Sequence, residues 1–275
     1  MNRIERKFRE LERAGRKGLI LYLTAGYPSL EATRALVPGL EKAGADIIEL
    51  GVPFSDPIAD GVTIQRTNAA ALAAGVTLAR ILKLVADIRR ESQVPIILMG
   101  YYNPILAYGL ERFVRDSWKA GVDGLIVPDL PPEEAAPLRR ELKKARLGLI
   151  FLLAPTSDDE RIALVAGRSE PFIYYVSVAG VTGARASLAS EEIGAQVARI
   201  RRQSRRPVCL GFGINGPEAL RELVPLADGF IVGSALLNCI EKAGVRYQAA
   251  AEEFVAGMAG VLKAAAGPGP GAKKN

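Results

Sequence analysis

Glu49 and Asp60 bracket one turn-rich segment, Glu49-Leu-Gly-Val-Pro-Phe-Ser-Asp-Pro-Ile-Ala-Asp60-Gly61, and Glu49 falls within the apolar run 46–50. An ionised carboxylate inside a strand must be paired, protonated or solvated by a pocket, because burying even a neutral polar group costs about 2–7 kcal/mol. Glu49 therefore needs a functional reason. The prolines and glycines that follow cannot continue a helix or a central strand, so the segment from Phe54 to Gly61 reads as a loop that carries Asp60 back over the strand end. One rigid and one mobile carboxylate suit acid–base chemistry.

Composition narrows who else could take part. The chain contains no histidine, which excludes the usual zinc sites and any Ser-His or Cys-His nucleophile pair. Acid–base work must then fall to carboxylates, tyrosine or lysine. Cys209 and Cys239 sit in apolar surroundings at no metal-ligand spacing and read as buried thiols. The net charge of +6 raises the question of nucleic acid, and the densest basic cluster is Arg199, Arg201, Arg202, Arg205 and Arg206. It closes a helical pattern of Ile193, Val197 and Ile200, where cations favour the helix C-terminus, and no aromatic residues are interleaved to stack on bases. We read it as a solvated helix end on a mildly basic surface that attracts phosphorylated metabolites. No apolar stretch suits a signal peptide or a membrane span, so a cytoplasmic location is the expectation.

The elements that must position the carboxylates follow from hydrophobic patterning. Short apolar runs recur at 19–24, 46–50, 95–100, 124–127, 148–153, 172–177, 207–211 and 229–232, separated by segments of helical spacing such as Leu138, Leu142 and Ala145. Strands apolar on both faces and alternating with helices imply parallel pairing. Eight such units, each about 30 residues long, have the size of a (β/α)8 TIM barrel; a doubly wound open sheet is the alternative. Ile4, Phe8 and Leu11 add an amphipathic N-terminal helix expected to cover the barrel bottom. We expect one barrel domain over residues 1–265 and a disordered Pro/Gly-rich tail over 266–275.

Unit lengths point to the working face. The second unit is about twenty residues longer than average and carries Asp56 and Asp60, which marks an enlarged loop at a strand C-terminus. A second long gap follows the sixth run and contains Ala179-Gly-Val-Thr-Gly-Ala-Arg185, whose small residues suit a movable lid. Gly211-Phe-Gly-Ile-Asn-Gly216 and Gly233-Ser-Ala235 end the last two predicted strands, where this fold commonly presents backbone N–H groups to a phosphate. Ser234 could add a hydroxyl and cap a helix beginning at Ala235, although turning and capping alone would also explain these residues. Of Tyr174 and Tyr175, successive on the sixth run, only one can face the barrel interior.

Taken in order, the 49–61 segment, Gly180-Val-Thr-Gly183, Gly211-Phe-Gly-Ile214 and Gly233-Ser234, with Leu23-Thr-Ala-Gly26, Tyr101-Tyr-Asn-Pro104 and Val127-Pro-Asp-Leu-Pro131, resemble the tryptophan synthase α subunit family. The resemblance runs from the N-terminal helix to about Val261. It implies a (β/α)8 barrel, without cofactor or metal, that cleaves indole-3-glycerol phosphate to indole and glyceraldehyde 3-phosphate. Glu49 would be the acid that protonates indole C3 and then the base that takes the glycerol hydroxyl proton. Asp60 would hold the indole N–H. The phosphate would lie on the amides of Gly183, Gly213 and Gly233 with Ser234 beside them, in the Gly211–Phe212–Gly213 turn. The family pattern Tyr-x-x-Ser-x-x-Gly-Val-Thr-Gly selects Tyr174, not Tyr175, as the pocket residue. Tyr22, Tyr101, Met99, Leu125 and Val127 would wall the indole, Phe212 would close the pocket, and Thr182 would hold Asp60 when both loops close. A pyridoxal-phosphate β subunit would receive the indole in an αββα heterotetramer, with Pro53, Asp56 and Asn103 at the interface. Val62 departs from the family pattern, in which Pro is common after Asp60-Gly61. Other sugar-phosphate barrel isomerases, a two-carboxylate glycosidase and a purely activating subunit are the competing readings.

Overall fold

Nine short strands form one parallel sheet in the computed structural model, which describes residues 1–177, 184–211 and 213–267, with only the backbone at 184–189. They are β1 (Gly18–Thr24), β2 (Ile47–Gly51), β3 (Ile96–Met99), β4 (Gly124–Ile126), β5 (Gly148–Ile150), β6 (Leu152–Leu153), β7 (Ile173–Val176), β8 (Val208–Gly211) and β9 (Gly229–Val232). Their order is β5-β4-β3-β2-β1-β9-β8-β7-β6. The two ends of that order are separated in the chain by Phe151 alone, so the ring closes through one strand broken at that residue. The expected run 148–153 is this broken strand, half paired with β4 and half with β7. The Phe151 carbonyl accepts from the Tyr174 N–H at 3.2 Å. The fold is the eight-unit barrel anticipated from the sequence, not the open sheet.

The helices are α1 (Arg3–Arg13), α2 (Leu30–Ala43), α3 (Val62–Ala73), α4 (Leu78–Ile88), α5 (Tyr102–Tyr108), α6 (Leu110–Ala120), α7 (Ala136–Ala145), α8 (Asp159–Arg168), α9 (Ala184–Gln203), α10 (Pro217–Leu223), α11 (Ser234–Ala243) and α12 (Tyr247–Ala264). None of them is long and apolar enough to cross a membrane on its own. Leu19, Leu21, Leu23, Ile48, Leu50, Leu125 and Val127 pack outward against this helix layer. Ile20, Ile47, Ile97, Ile126, Ile150 and Ile231 face inward and fill the lower barrel with Phe172 and Cys209. The N-terminal helix seals that layer from below. Asn2 and Glu5 cap α1 reciprocally, each side chain accepting the other's backbone N–H at 3.0 Å. Ile4, Phe8 and Leu11 then enter the inner core, with Phe8 5.5 Å from the Phe172 ring.

Two expectations change here. The additional length after β2 is not all loop: residues 52–61 form the loop, and α3 takes up most of the remainder before the expected helix α4. Leu125 and Val127 belong to the outer core, since side chains alternate along a strand and Ile126 takes the inward position. They cannot wall a pocket in the barrel mouth. Of the expected tail, residues 268–275 lie outside the described residues; of the expected lid 179–185, residues 179–183 do, and α9 already begins at Ala184.

An aspartate precedes three of the strands and fastens the base. Asp46 accepts the Leu19 N–H at 2.9 Å, Asp123 the Ile96 N–H at 2.9 Å and Asp228 the Val208 N–H at 3.0 Å, each reaching the start of a neighbouring strand. Arginines complete the clamps: Arg16 on Asp46, Arg3 and Arg89 on Asp123, and Arg201 on Asp228. The basic cluster is thus partly used at the barrel base through Arg201, while Arg199 pairs with Asp159 in the first turn of α8 and Arg206 with Glu170. Asp123 is the most enclosed clamp, only 3% exposed, against an Arg89 side chain that is 10% exposed. Breaking a buried pair by removing one partner costs about 3–5 kcal/mol. Asp123→Ala should show that loss in urea unfolding, whereas Asp116→Ala, which removes only surface ion pairs with Arg112 and Arg115, should leave the unfolding midpoint nearly unchanged.

Candidate active site

Glu49 occupies the inward position two residues above Ile47 on β2, in register with Tyr22 on β1. It is 1% exposed, and its Oε2 has no hydrogen-bond partner among the described residues. Burial, reinforced by the nearby Asp60 charge, pushes its carboxyl up to about 8. At neutral pH the group is therefore mainly a neutral acid. A buried carboxyl without a cation has no cheaper state.

Tyr22 faces it from the neighbouring β1, and Tyr174 from β7 farther round the barrel. Tyr174 lies in the inner cluster with Cys209, whereas Tyr175 packs in the helix layer, so the barrel-facing tyrosine is Tyr174. Two strand-end glycines make room for these rings. A Cβ on Gly211 would overlap the Tyr174 ring and hydroxyl, and one on Gly51 would overlap the Tyr22 hydroxyl. Gly211 is thereby explained by tyrosine packing, and its inward face is closed. Burial raises both phenols above their ordinary value and keeps them neutral. Met99 is partly buried on the same inner surface.

Asp60 approaches from the loop 52–61. Tyr101, itself buried, holds that loop: its hydroxyl accepts the Ala59 N–H at 2.9 Å and its ring lies 5.2 Å from Phe54. The Asp60 carbonyl accepts from Gln65 Nε2 at 2.8 Å, and Asp60 Oδ2 accepts from Asn68 Nδ2 at 3.0 Å. Partial burial pushes the Asp60 carboxyl up to about 6, with Asn68 and Tyr101 pulling against it by hydrogen bonding. Gln65 and Asn68 were not singled out from sequence. They sit on α3, whose buried face consists of Thr67, Asn68 and Ala71 and so gives no apolar stripe to reveal it.

Beyond β1 on the same rim, after β8 and β9, Gly213 adopts a left-handed φ of 79° and is exposed, and Gly233 occupies the N-cap position of α11. The helix begins at Ser234, one residue earlier than expected. Ser234 is therefore inside the first turn and makes no side-chain cap, which corrects its expected capping role and leaves an exposed hydroxyl beside the helix N-terminus. Such a terminus offers N–H groups and a positive dipole end to an anion. Thr182, Gly183 and Phe212 lie outside the described residues. Of the expected interface residues, Asp56 and Asn103 are exposed, but Pro53 is buried at the root of the loop and can only shape it.

The model of the family described as "Tryptophan synthase alpha chain" matches residues 8–266. The chain belongs to the tryptophan synthase alpha chain family. The alpha chain of Geotalea daltonii is 53% identical over 242 residues, covering 88% of this chain and 91% of that one. That of Geotalea uraniireducens is 48% identical over 268 residues, covering 97% and 100%. Among solved structures, tryptophan synthase subunit alpha from Legionella pneumophila superposes with a TM-score of 0.89 at 38% identity, covering 96% of this chain and 99% of that one. Tryptophan synthase from M. tuberculosis in its aminoacrylate-bound form gives a TM-score of 0.85 at 35% identity, covering 95% and 100%. The reaction of this alpha-chain family member is the cleavage of indole-3-glycerol phosphate in tryptophan biosynthesis, and the family works with a β subunit.

Glu49 carries a stability consequence. Its folded-state value of about 8 lies above the ordinary 4.5, so its contribution to stability is fully present below pH 4.5 and is lost as pH rises through about 8. Glu49→Gln cannot titrate. Its melting temperature should exceed that of the unsubstituted chain at pH 9, and the difference should shrink at pH 6.

Proposed function

We propose that this chain performs the alpha reaction with two carboxyls, Glu49 moving protons at carbon and Asp60 moving the proton of the indole nitrogen. The observation that carries the reading is their unequal setting: one carboxyl is buried and raised to about 8, the other is hydrogen-bonded and raised to about 6. Between those values Glu49 is mainly protonated and Asp60 mainly ionised. In the first step Glu49 gives its proton to indole C3 while Asp60 takes the N–H proton, so no charge is left on the ring. Glu49, now ionised, removes the proton from the glycerol hydroxyl on the carbon attached to C3. The C–C bond breaks as the aldehyde forms, its electron pair returns to the ring, and Asp60 returns the proton to nitrogen. Both carboxyls end as they began.

Tyr22, Tyr101 and Tyr174 supply apolar surface and fixed hydroxyls around the ring. The phosphate is assigned to the amides of Gly183, Gly213 and Gly233 with the Ser234 N–H and hydroxyl, next to the Gly211–Phe212 turn, and Thr182 to Asp60. Holding the phosphate remote from the reacting bond orients the substrate without changing the chemistry. The β subunit, in an αββα assembly in the cytoplasm, contacts the exposed side of loop 52–61 around Asp56 and the Asn103 region, with Pro53 setting the loop's exit from β2.

Indole release from purified chain and indole-3-glycerol phosphate tests the mechanism. Glu49→Gln and Asp60→Asn should each lower kcat by about 100-fold or more. Unchanged rates in both would overturn the assignment of the proton transfers to these two carboxyls. The kcat/KM profile should be bell-shaped, falling below about pH 6 as Asp60 protonates and above about pH 8 as Glu49 ionises. For the interface, Asp56→Ala and Asn103→Ala should weaken β-subunit binding in calorimetry while leaving the melting temperature of the isolated chain nearly unchanged; tight binding by both variants would move the interface elsewhere.

A further inference from the structure

We infer that Asn68 is a positioning residue for this reaction, its buried amide aiming the Asp60 carboxylate at the indole N–H. The inference rests on the reading that Asp60 receives that proton, and it extends it to a residue that need not touch the substrate. Asn68 is 2% exposed, and its Nδ2 donates to Asp60 Oδ2 at 3.0 Å. Its own Oδ1 is buried without a partner among the described residues. A core position chosen for stability would carry an apolar side chain or a fully satisfied amide. Here the amide spends its donor on a catalytic carboxylate and leaves its acceptor unmet.

The platform beneath Asn68 is rigid enough to aim it. Thr67 Oγ1 donates to the Ile64 carbonyl at 2.9 Å and lies 2.7 Å from Thr24 Oγ1, so Thr24 is the donor that fastens α3 to the end of β1. On its other side α3 meets α11, through Thr63 to Asn238 at 3.3 Å and through Arg66 to Asn238 and Glu241. Gln65 holds the Asp60 carbonyl from the same helix. Main chain and carboxylate of Asp60 are thus gripped from one surface.

The Asn68 bond also favours the ionised carboxylate, because a donor stabilises charge on its acceptor. The titratable groups facing Asp60 are Glu49 from β2, Tyr22 from β1 and Tyr101 from the segment after β3; α3 itself presents only the uncharged Asn68 and Gln65, with Arg66 turned to Glu241. Asn68 is therefore the donor on α3 that opposes the desolvation raising Asp60.

The test compares the unsubstituted chain with Asn68→Ala, Asn68→Leu and Asp60→Asn, measuring kcat/KM against pH and the melting temperature of each. Asn68→Leu keeps the space filled should the alanine variant fold poorly. We expect the acid limb to move up by about one pH unit in both Asn68 variants, with the alkaline limb unmoved and a loss of about threefold at pH 6.5 that approaches tenfold near pH 5. Inhibition by glycerol 3-phosphate, which reports the phosphate end alone, should be unchanged. A loss equal at every pH, or an unmoved acid limb with Asp60→Asn inactive, would overturn the role of Asn68 and leave Asp60 standing. Full activity of Asp60→Asn would instead remove the premise.

Discussion

The structure depends on keeping one carboxyl inside an apolar barrel without a counter-charge. Glu49 is surrounded by strands, with isoleucines filling the barrel below it, tyrosines beside it and its Oε2 unpaired among the described residues. An arginine there would ionise it and remove the acid. Water entering from below would do much the same by solvating the charged form. The N-terminal helix prevents this, because Ile4, Phe8 and Leu11 close the inner core from the bottom. The aspartate clamps at the base serve the same end: they place charge at the strand starts, where arginines neutralise it, and leave the interior apolar.

Given a neutral acid on the rigid strand, the second carboxyl has to be ionised and yet close. Two like charges in one site would push each other's protons on, and Asp60 does raise Glu49. Asymmetry resolves the conflict. Asp60 stays partly exposed and takes hydrogen bonds from α3 and the Tyr101 region, whereas burial and the Asp60 charge both push Glu49 toward the protonated form. The loop that carries Asp60 is not slack, since Tyr101 holds its backbone and stacks near Phe54. Val62, in place of a proline, costs this arrangement little: it is the exposed first residue of α3, where proline is favoured but not required.

Much of this was legible from residue order. The eight apolar runs specify the barrel, and Glu49 stands out because its polarity contradicts its strand. Tyr174 was separated from Tyr175 by the family pattern, and its inward direction agrees with strand alternation. What was not legible depends on information absent from a one-dimensional pattern. The break at Phe151 is a change of hydrogen-bonding partner within one apolar run. Helix α3 buries small and polar side chains, so its periodicity is faint. Leu125 and Val127 were assigned to the pocket from the family resemblance, yet a one-residue offset along a strand reverses the face. Asp46, Asp123 and Asp228 each precede a strand in the sequence, but the N–H groups they accept belong to strands far away in the chain.

Helix α3 also makes a mechanical connection that neither carboxyl has alone. Its Thr63 and Arg66 are bonded to Asn238 and Glu241 on α11, whose N-terminus, at Gly233 and Ser234, is the proposed phosphate site. Its Thr67 is bonded to Thr24 at the end of β1, and its Asn68 to Asp60. A phosphate seated on α11 and a carboxylate aimed by α3 therefore belong to one rigid unit fixed to the barrel wall. In the proposed mechanism, binding energy gathered at the phosphate, which takes no part in bond breaking, registers the indole nitrogen against Asp60 and C3 against Glu49. The extra helix after β2 is best understood as the part that joins these two ends of the substrate.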